Sequence, residues 1–181
     1  IGQPLHAFDR DKIFGNVSVR QAKNKEKITT LDNQVRNLDE NDLLITDNDK
    51  PIALAGVMGG HDTEVSENTV NLLIESAYFD KVSIMNTSRK LNLISDASIR
   101  FERGIDYNLQ EDAIVRFIEL FSSNQKINYS SPLIDDKKKI NNKPVSFNDS
   151  EIYKILGTKL DANFVTKTLT NLNIEHNINK E

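Results

Sequence analysis

Apolar and polar positions change their period along this chain, and the changes mark out its elements. Over residues 14–79 the period is short. The run GNVSVRQA sets Val17 and Val19 against polar neighbours, an alternation that predicts a half-buried strand. KEKITTLDNQVRNL predicts a hairpin, because Ile28 and Leu31 are answered by Val35 and Leu38 across the turn-forming Asp32 and Asn33. NDLLITDNDKPIALAGVMGG gives two more short apolar strands around the turn DNDKP. VNLLIESAYF has no alternation at its centre, which predicts a strand with both faces covered.

Beyond residue 79 the period lengthens. Asp80 is a suitable N-cap for KVSIMNTSRKLN, where Val82, Ile84 and Met85 are apolar. After Gly104, DYNLQEDAIVRFIELFSS places Leu109, Ala113, Ile114, Phe117, Ile118 and Phe121 on one helical face. The following segment mixes Asn, Ser and Pro with an Asp/Lys run, the composition of a linker over 126–143 that has room for a short strand. DSEIYKILG, ending in Gly157, and DANFVTKTLTNLNI, opening with Asp161, then predict two short capped helices. The expected architecture is α+β: a mixed or antiparallel sheet with packed helices over 1–125, then the start of a small, mostly helical domain over 144–181.

Composition narrows the function classes. The 181 residues include 38% hydrophobic and 28% charged, the balance of a globular chain, and no apolar run approaches the roughly 20 residues of a bilayer span. No cysteine is present, so disulfides and thiolate metal sites are excluded, and the expected compartment is the cytoplasm. A net charge of −4 argues against gripping nucleic acid by bulk electrostatics, so any such partner must be held locally. The opening IGQPLHAFD lacks an initiating methionine and the closing NLNIEHNINKE breaks off an alternation, so we expect part of a longer chain.

Several residues carry candidate chemistry. Glu75 follows Leu72, Leu73 and Ile74 directly: it is either a strand-end acid turned to solvent or a carboxylate at the floor of a pocket, kept to bind a ligand. Gly56, Gly59 and Gly60 in LAGVMGG allow positive φ or close backbone approach, but they match neither the P-loop nor the dinucleotide fingerprint. His6 is either a core histidine or a proton donor or ribose contact. Asp9 with Asp11, and His61 with Asp62 and Glu64, lack established ligand spacings, so no metal is expected. No nucleophile elbow occurs. Arg89, Lys90, Arg100 and Arg103 form a local basic patch, either a solvated helix face or a phosphate contact.

Together GQPLHAFD, LAGVMGG, NLLIESAYF and SDASIRFERGID, in that order, resemble the β subunits of bacterial phenylalanyl-tRNA synthetases. The similarity covers residues 1–122 and corresponds to most of their central editing domain; PVSFNDSEIYKILG onward is similar, more loosely, to the start of the next domain. The resemblance implies hydrolysis of Tyr-tRNA(Phe) made in error, with tRNA(Phe) and a catalytic α subunit of an α2β2 holoenzyme as partners. ATP and Mg would serve that catalytic subunit, leaving this part without a cofactor. It implies that Glu75 takes the tyrosine hydroxyl and that His6 is the editing histidine, with Pro4 fixing its loop. Gly59 would be a wall where a side chain strikes the ligand ring. Ala97 would be a small residue whose enlargement closes the pocket, and Ser95 stands where some relatives have threonine. It also implies that preceding segments supply strands and a Thr-Asn pair to the same pocket. Backbone N–H groups near Gly59 or Gly60 are candidates to face the ester's developing oxyanion, and Arg100 and Arg103 to touch tRNA. The alternative is a non-catalytic scaffold or tRNA-docking module.

Overall fold

A computed structural model describes residues 2–124, 126–130 and 143–178. The chain divides into two units, Ile1–Leu133 and Ile134–Glu181. Among the described residues no helix is long and apolar enough to cross a membrane.

The first unit is built on antiparallel pairs. Strands β1 (His6–Asp9), β2 (Val17–Gln21), β3 (Lys27–Thr29), β4 (Val35–Asn37), β5 (Leu43–Asp47), β6 (Lys50–Leu54), β7 (Met58–Gly59) and β8 (Leu72–Glu75) form three sheets. One has the order β2-β5-β6-β7, and β3-β4 and β1-β8 are two-stranded. The two predicted hairpins are present: Ile28 stands opposite Arg36, and Asp47 opposite Lys50 across Asn48 and Asp49. Asn48, with φ 51°, takes the left-handed conformation that asparagine tolerates in turns. Pro51 is accommodated beside a register shift between Ile45 and Thr46, where the ladder can spare an N–H.

Two strands differ from the sequence reading. In β2 the alternation buries neither valine: Val17 and Val19 face solvent, Ser18, also exposed, reaches Thr46 at 2.9 Å, and half-buried Arg20 pairs with Glu26 at 2.7 Å. Arg20 in turn holds the Glu26 carboxyl down at about 2. β8 is half-buried along its length rather than enclosed, because β1 is its one neighbour.

Three helices close the unit: α1 (Lys81–Lys90), α2 (Asp96–Arg103) and α3 (Gln110–Ser122). Asp80 caps α1 by accepting from the Ser83 N–H. Buried Asp42 accepts from Thr87 at 2.9 Å and Lys90 at 2.5 Å, which ties α1 to the loop before β5. The predicted apolar face of α3 is covered wholly or in part, whereas Val115 and Leu120 are exposed.

Phe8, Leu44, Ile52, Leu54 and Ile84 are the largest fully buried side chains. The loop after β6 enters this core through Gly56, whose φ is 66° and whose added Cβ would lie 2.9 Å from both Ile84 and Phe79. We predict that Gly56→Ala destabilises the chain by about 2 kcal/mol through overpacking and backbone strain, measured as a lower urea midpoint with an unchanged slope.

The second unit contains α4 (Asp149–Leu156) and α5 (Ala162–Asn171). Asn148 and Glu151 form a reciprocal capping box at the start of α4. Gly157, at φ 71°, ends it with its N–H on the Tyr153 carbonyl. Residues 131–142, the middle of the predicted linker, lie outside the described residues.

Candidate functional site

The β1-β8 pair sets His6 opposite Glu75. Directly opposed residues of an antiparallel pair point to the same face, so the imidazole and the carboxyl share one. They border a cavity of about 50 Å³ lined also by Pro4, Leu5, Gly56, Met58, Gly59 and Phe101. Among the described residues no hydrogen bond or ion pair joins the imidazole to the carboxyl.

The approach of β1 is held from both sides. Gln3 donates to the Ala77 carbonyl at 2.9 Å, just beyond β8, and accepts from Gln110 at the start of α3 at 3.0 Å. Pro4 follows, and restricts the chain entering β1. The His6 ring then stands edge-on to Phe8, centroids 4.4 Å apart at 80°. It lies over Gly59: a Cβ there would meet His6 Cε1 at 2.4 Å and Nε2 at 2.6 Å. The glycine therefore seats the histidine. Gly59 lines the cavity as well.

Burial governs both titrations. Desolvation lowers the His6 pKa below 6.5, so the ring is neutral at pH 7. Burial alone pushes the Glu75 carboxyl from 4.5 up to about 7. Among the described residues no hydrogen bond or ion pair offsets that burial. An acid half-ionised at neutral pH and a neutral imidazole thus face one small space. Such a pair can accept a hydroxyl, hold a water or relay a proton.

The remaining predicted residues lie elsewhere. The Gly60 N–H is committed to the Ile52 carbonyl at 2.8 Å, which corrects its reading as an oxyanion donor. Ser95 is the N-cap of α2, accepting from the Ser98 N–H at 3.1 Å and donating to the Val57 carbonyl at 2.5 Å. Its hydroxyl is spent on the loop that walls the cavity, not on a ligand. Ala97 packs against the core one helical turn before Phe101, and Phe101 is the α2 residue that reaches the cavity. Arg100 and Arg103 border a separate cleft. We predict that Ser95→Ala loses about 1–2 kcal/mol, the worth of a cap plus a partly buried hydrogen bond, seen as a lower thermal midpoint.

Sequence reasoning did not anticipate Gln3, Leu5, Met58 or Phe101. Gly56 stands within LAGVMGG, and Gln3 and Leu5 within GQPLHAFD, without a role of their own. Phe101 carried no local signal. Among the described residues no three potential ligands gather to hold a metal.

This architecture has relatives. The family model of the B3/4 domain matches residues 1–126, and the chain belongs to that family. Along nearly its whole length it is also similar to phenylalanine–tRNA ligase beta subunits. It is 41% identical to the one from Staphylococcus saprophyticus, with 99% of this chain and 23% of the relative aligned. It is 39% identical to that of Fusobacterium nucleatum over 96% and 22%, and 50% identical to that of Thermobifida fusca over 67% and 15%. The chain thus spans under a quarter of the length of these relatives.

Proposed function

We propose that the first unit, residues 1–125, is the proofreading domain of a phenylalanine–tRNA ligase β subunit, which removes tyrosine from tRNA(Phe) by ester hydrolysis. The observation that carries this reading is the unpartnered Glu75 carboxyl opposite His6 in one cavity. Residues 126–143 join it to a helical domain beginning near residue 144. In a cytoplasmic α2β2 holoenzyme, ATP and Mg belong to the α subunit that makes the ester. This domain destroys the wrong one.

Discrimination follows from hydrogen-bond chemistry. A synthetic pocket shaped for phenylalanine excludes one added hydroxyl only weakly, by about 10²-fold. A carboxylate that demands a phenolic O–H inverts the test. It gains about 1.5–3 kcal/mol from tyrosine; phenylalanine leaves it dry. A scaffold has no use for that acid, whose burial without a partner is a cost.

The cavity must open for a ring. A cavity that takes benzene is on the order of 150 Å³, larger than the 50 Å³ between His6 and Glu75. Met58 borders it with an unbranched, adaptable side chain and is the wall that yields. An aminoacyl ester is already activated, so holding it beside a water supplies most of what hydrolysis needs. Neutral His6 orients that water or the ester, and no protein nucleophile is required.

Purified Tyr-tRNA(Phe) and Phe-tRNA(Phe), given separately to the complete ligase, test the reading. We expect the tyrosyl ester to be cleared at least about 10²-fold faster. Equal clearance would leave this domain without a proofreading role.

A further inference from the structure

The Glu75 cavity occupies one side of α2, and a larger depression occupies the other. At 100° per residue, Ile99, Arg100 and Arg103 fall on one face of the helix and Phe101 lies nearly opposite. Along that face runs an open cleft of about 490 Å³, within the usual range of ligand sites. Arg100 and Arg103 are exposed there, and among the described residues neither has a hydrogen-bond or ion-pair partner.

The lining specifies what fits. Asp96 and Asp106 border the cleft with the two arginines, so its formal charges cancel and it is no simple anion trap. One Asp106 oxygen already accepts from the Asn108 N–H. Ile99, Ile105 and Leu109 supply apolar wall. A ligand must therefore combine an anionic group, hydrogen-bond donors and a flat or apolar body. An unpaired nucleotide does: its phosphate suits a guanidinium, its hydroxyls and exocyclic amine suit carboxylates, and its base lies on aliphatic side chains or stacks on arginine.

Position adds the second argument. Gly2 lines the cleft and Pro4 lines the Glu75 cavity. Two residues of extended chain reach about 7 Å at most. Stacked nucleotides rise about 3.4 Å each, so a strand lying in the cleft stands one or two nucleotides from the cavity.

Resting on the proofreading role above, we propose that this cleft seats the unpaired nucleotides next to the RNA's 3′ ester, with Arg100 and Arg103 on their phosphates. The ester then passes Gly2–Pro4 into the space between His6 and Glu75. On a chain of net charge −4, this places RNA binding in one local groove rather than over a basic face.

The experiment uses the complete ligase with Arg100→Ala, Arg103→Ala or both in the β subunit, and single-turnover hydrolysis of Tyr-tRNA(Phe). We expect the half-saturating concentration to rise roughly tenfold for each change, with the loss concentrated there rather than in the rate at saturation. The slope of log affinity against log salt should fall by about one per contact removed, and Arg100→Lys should keep it. Unaltered concentration and salt dependence would overturn the proposal. A second arm is independent of hydrolysis: tRNA(Phe) with photoreactive 4-thiouridine in place of the nucleotide preceding its terminal one, irradiated on the wild-type ligase, should crosslink within residues 96–109. Crosslinks confined to other surfaces would also overturn it, whereas failure of the wild-type ligase to clear Tyr-tRNA would count against the proofreading role alone.

Discussion

Replacing Glu75 by alanine in the β subunit of the complete ligase is expected to lower the preference for Tyr-tRNA over Phe-tRNA hydrolysis by about 10²-fold or more. Two losses combine. The tyrosyl hydroxyl loses a charge-assisted bond of about 1.5–3 kcal/mol, and phenylalanine no longer leaves a carboxylate unpaired. Glu75→Gln, which keeps an acceptor without the charge, should fall between, at about tenfold. The tyrosyl preference of the wild type should weaken as pH falls through about 7, where the acid takes up its proton. Separate measurement of the two esters across pH checks each statement, and an unchanged ratio in Glu75→Ala would remove the acid from selection.

The same acid has a stability signature. Its pKa is 4.5 ordinarily and about 7 in the folded chain, so the folded state holds the proton more tightly than the unfolded one. Stability from this group is therefore greatest below about 4.5 and declines as pH rises to about 7. The difference corresponds to roughly 3 kcal/mol, a large share of the margin of an ordinary domain. Among the described residues no hydrogen bond or ion pair offsets it; because Glu75 is half-buried, the solvent it touches reduces the cost in part. That deficit is the physical reason to read Glu75 as a functional group.

The second large effect concerns Gly59. A methyl there would lie inside the contact distance of the His6 ring, so Gly59→Ala should displace the imidazole and lower Tyr-tRNA clearance about as much as His6→Ala does, on the order of 10²-fold. The double variant is expected to be no worse than either single one. Such non-additivity marks a residue acting through another. The pH titration of the His6 ring should also shift in Gly59→Ala, a readout that simple destabilisation leaves unmoved. Multiplying effects in the double variant would place Gly59 on the substrate rather than under the histidine.

Much of the fold was legible in the sequence. Hairpins around Asn33 and Asn48, a helix started by Asp80 and one ended by Gly157 follow from local chemistry, although the latter is capped by Asn148, one residue before the expected DSEIYKILG. β1 escaped because HAFD is short and its partner lies far along the chain, a pairing no local period reports. The exposure of β2 escaped because nothing local reports that Val17 and Val19 stay uncovered, with Arg20 alone half-buried against Glu26. For the site, residue types announced themselves at His6, Gly59 and Glu75, but their relations did not. Cross-strand register places the histidine against the acid; ring overlap explains the glycine. The role of Ser95 was hidden for the same reason, since its tie to the Val57 carbonyl crosses to a loop far back along the chain.

The claim at the centre is that the Glu75 carboxylate accepts a hydrogen bond from the phenolic O–H of tyrosine. Its most direct test is the ¹³C titration of the Glu75 carboxyl in this chain, free and with a non-hydrolysable amide-linked tyrosyl or phenylalanyl adenosine. We predict a midpoint near 7 in the free chain, a drop of about one unit or more with the tyrosyl compound, and no such drop with the phenylalanyl one. A midpoint that moves equally with both, or with neither, would contradict the account.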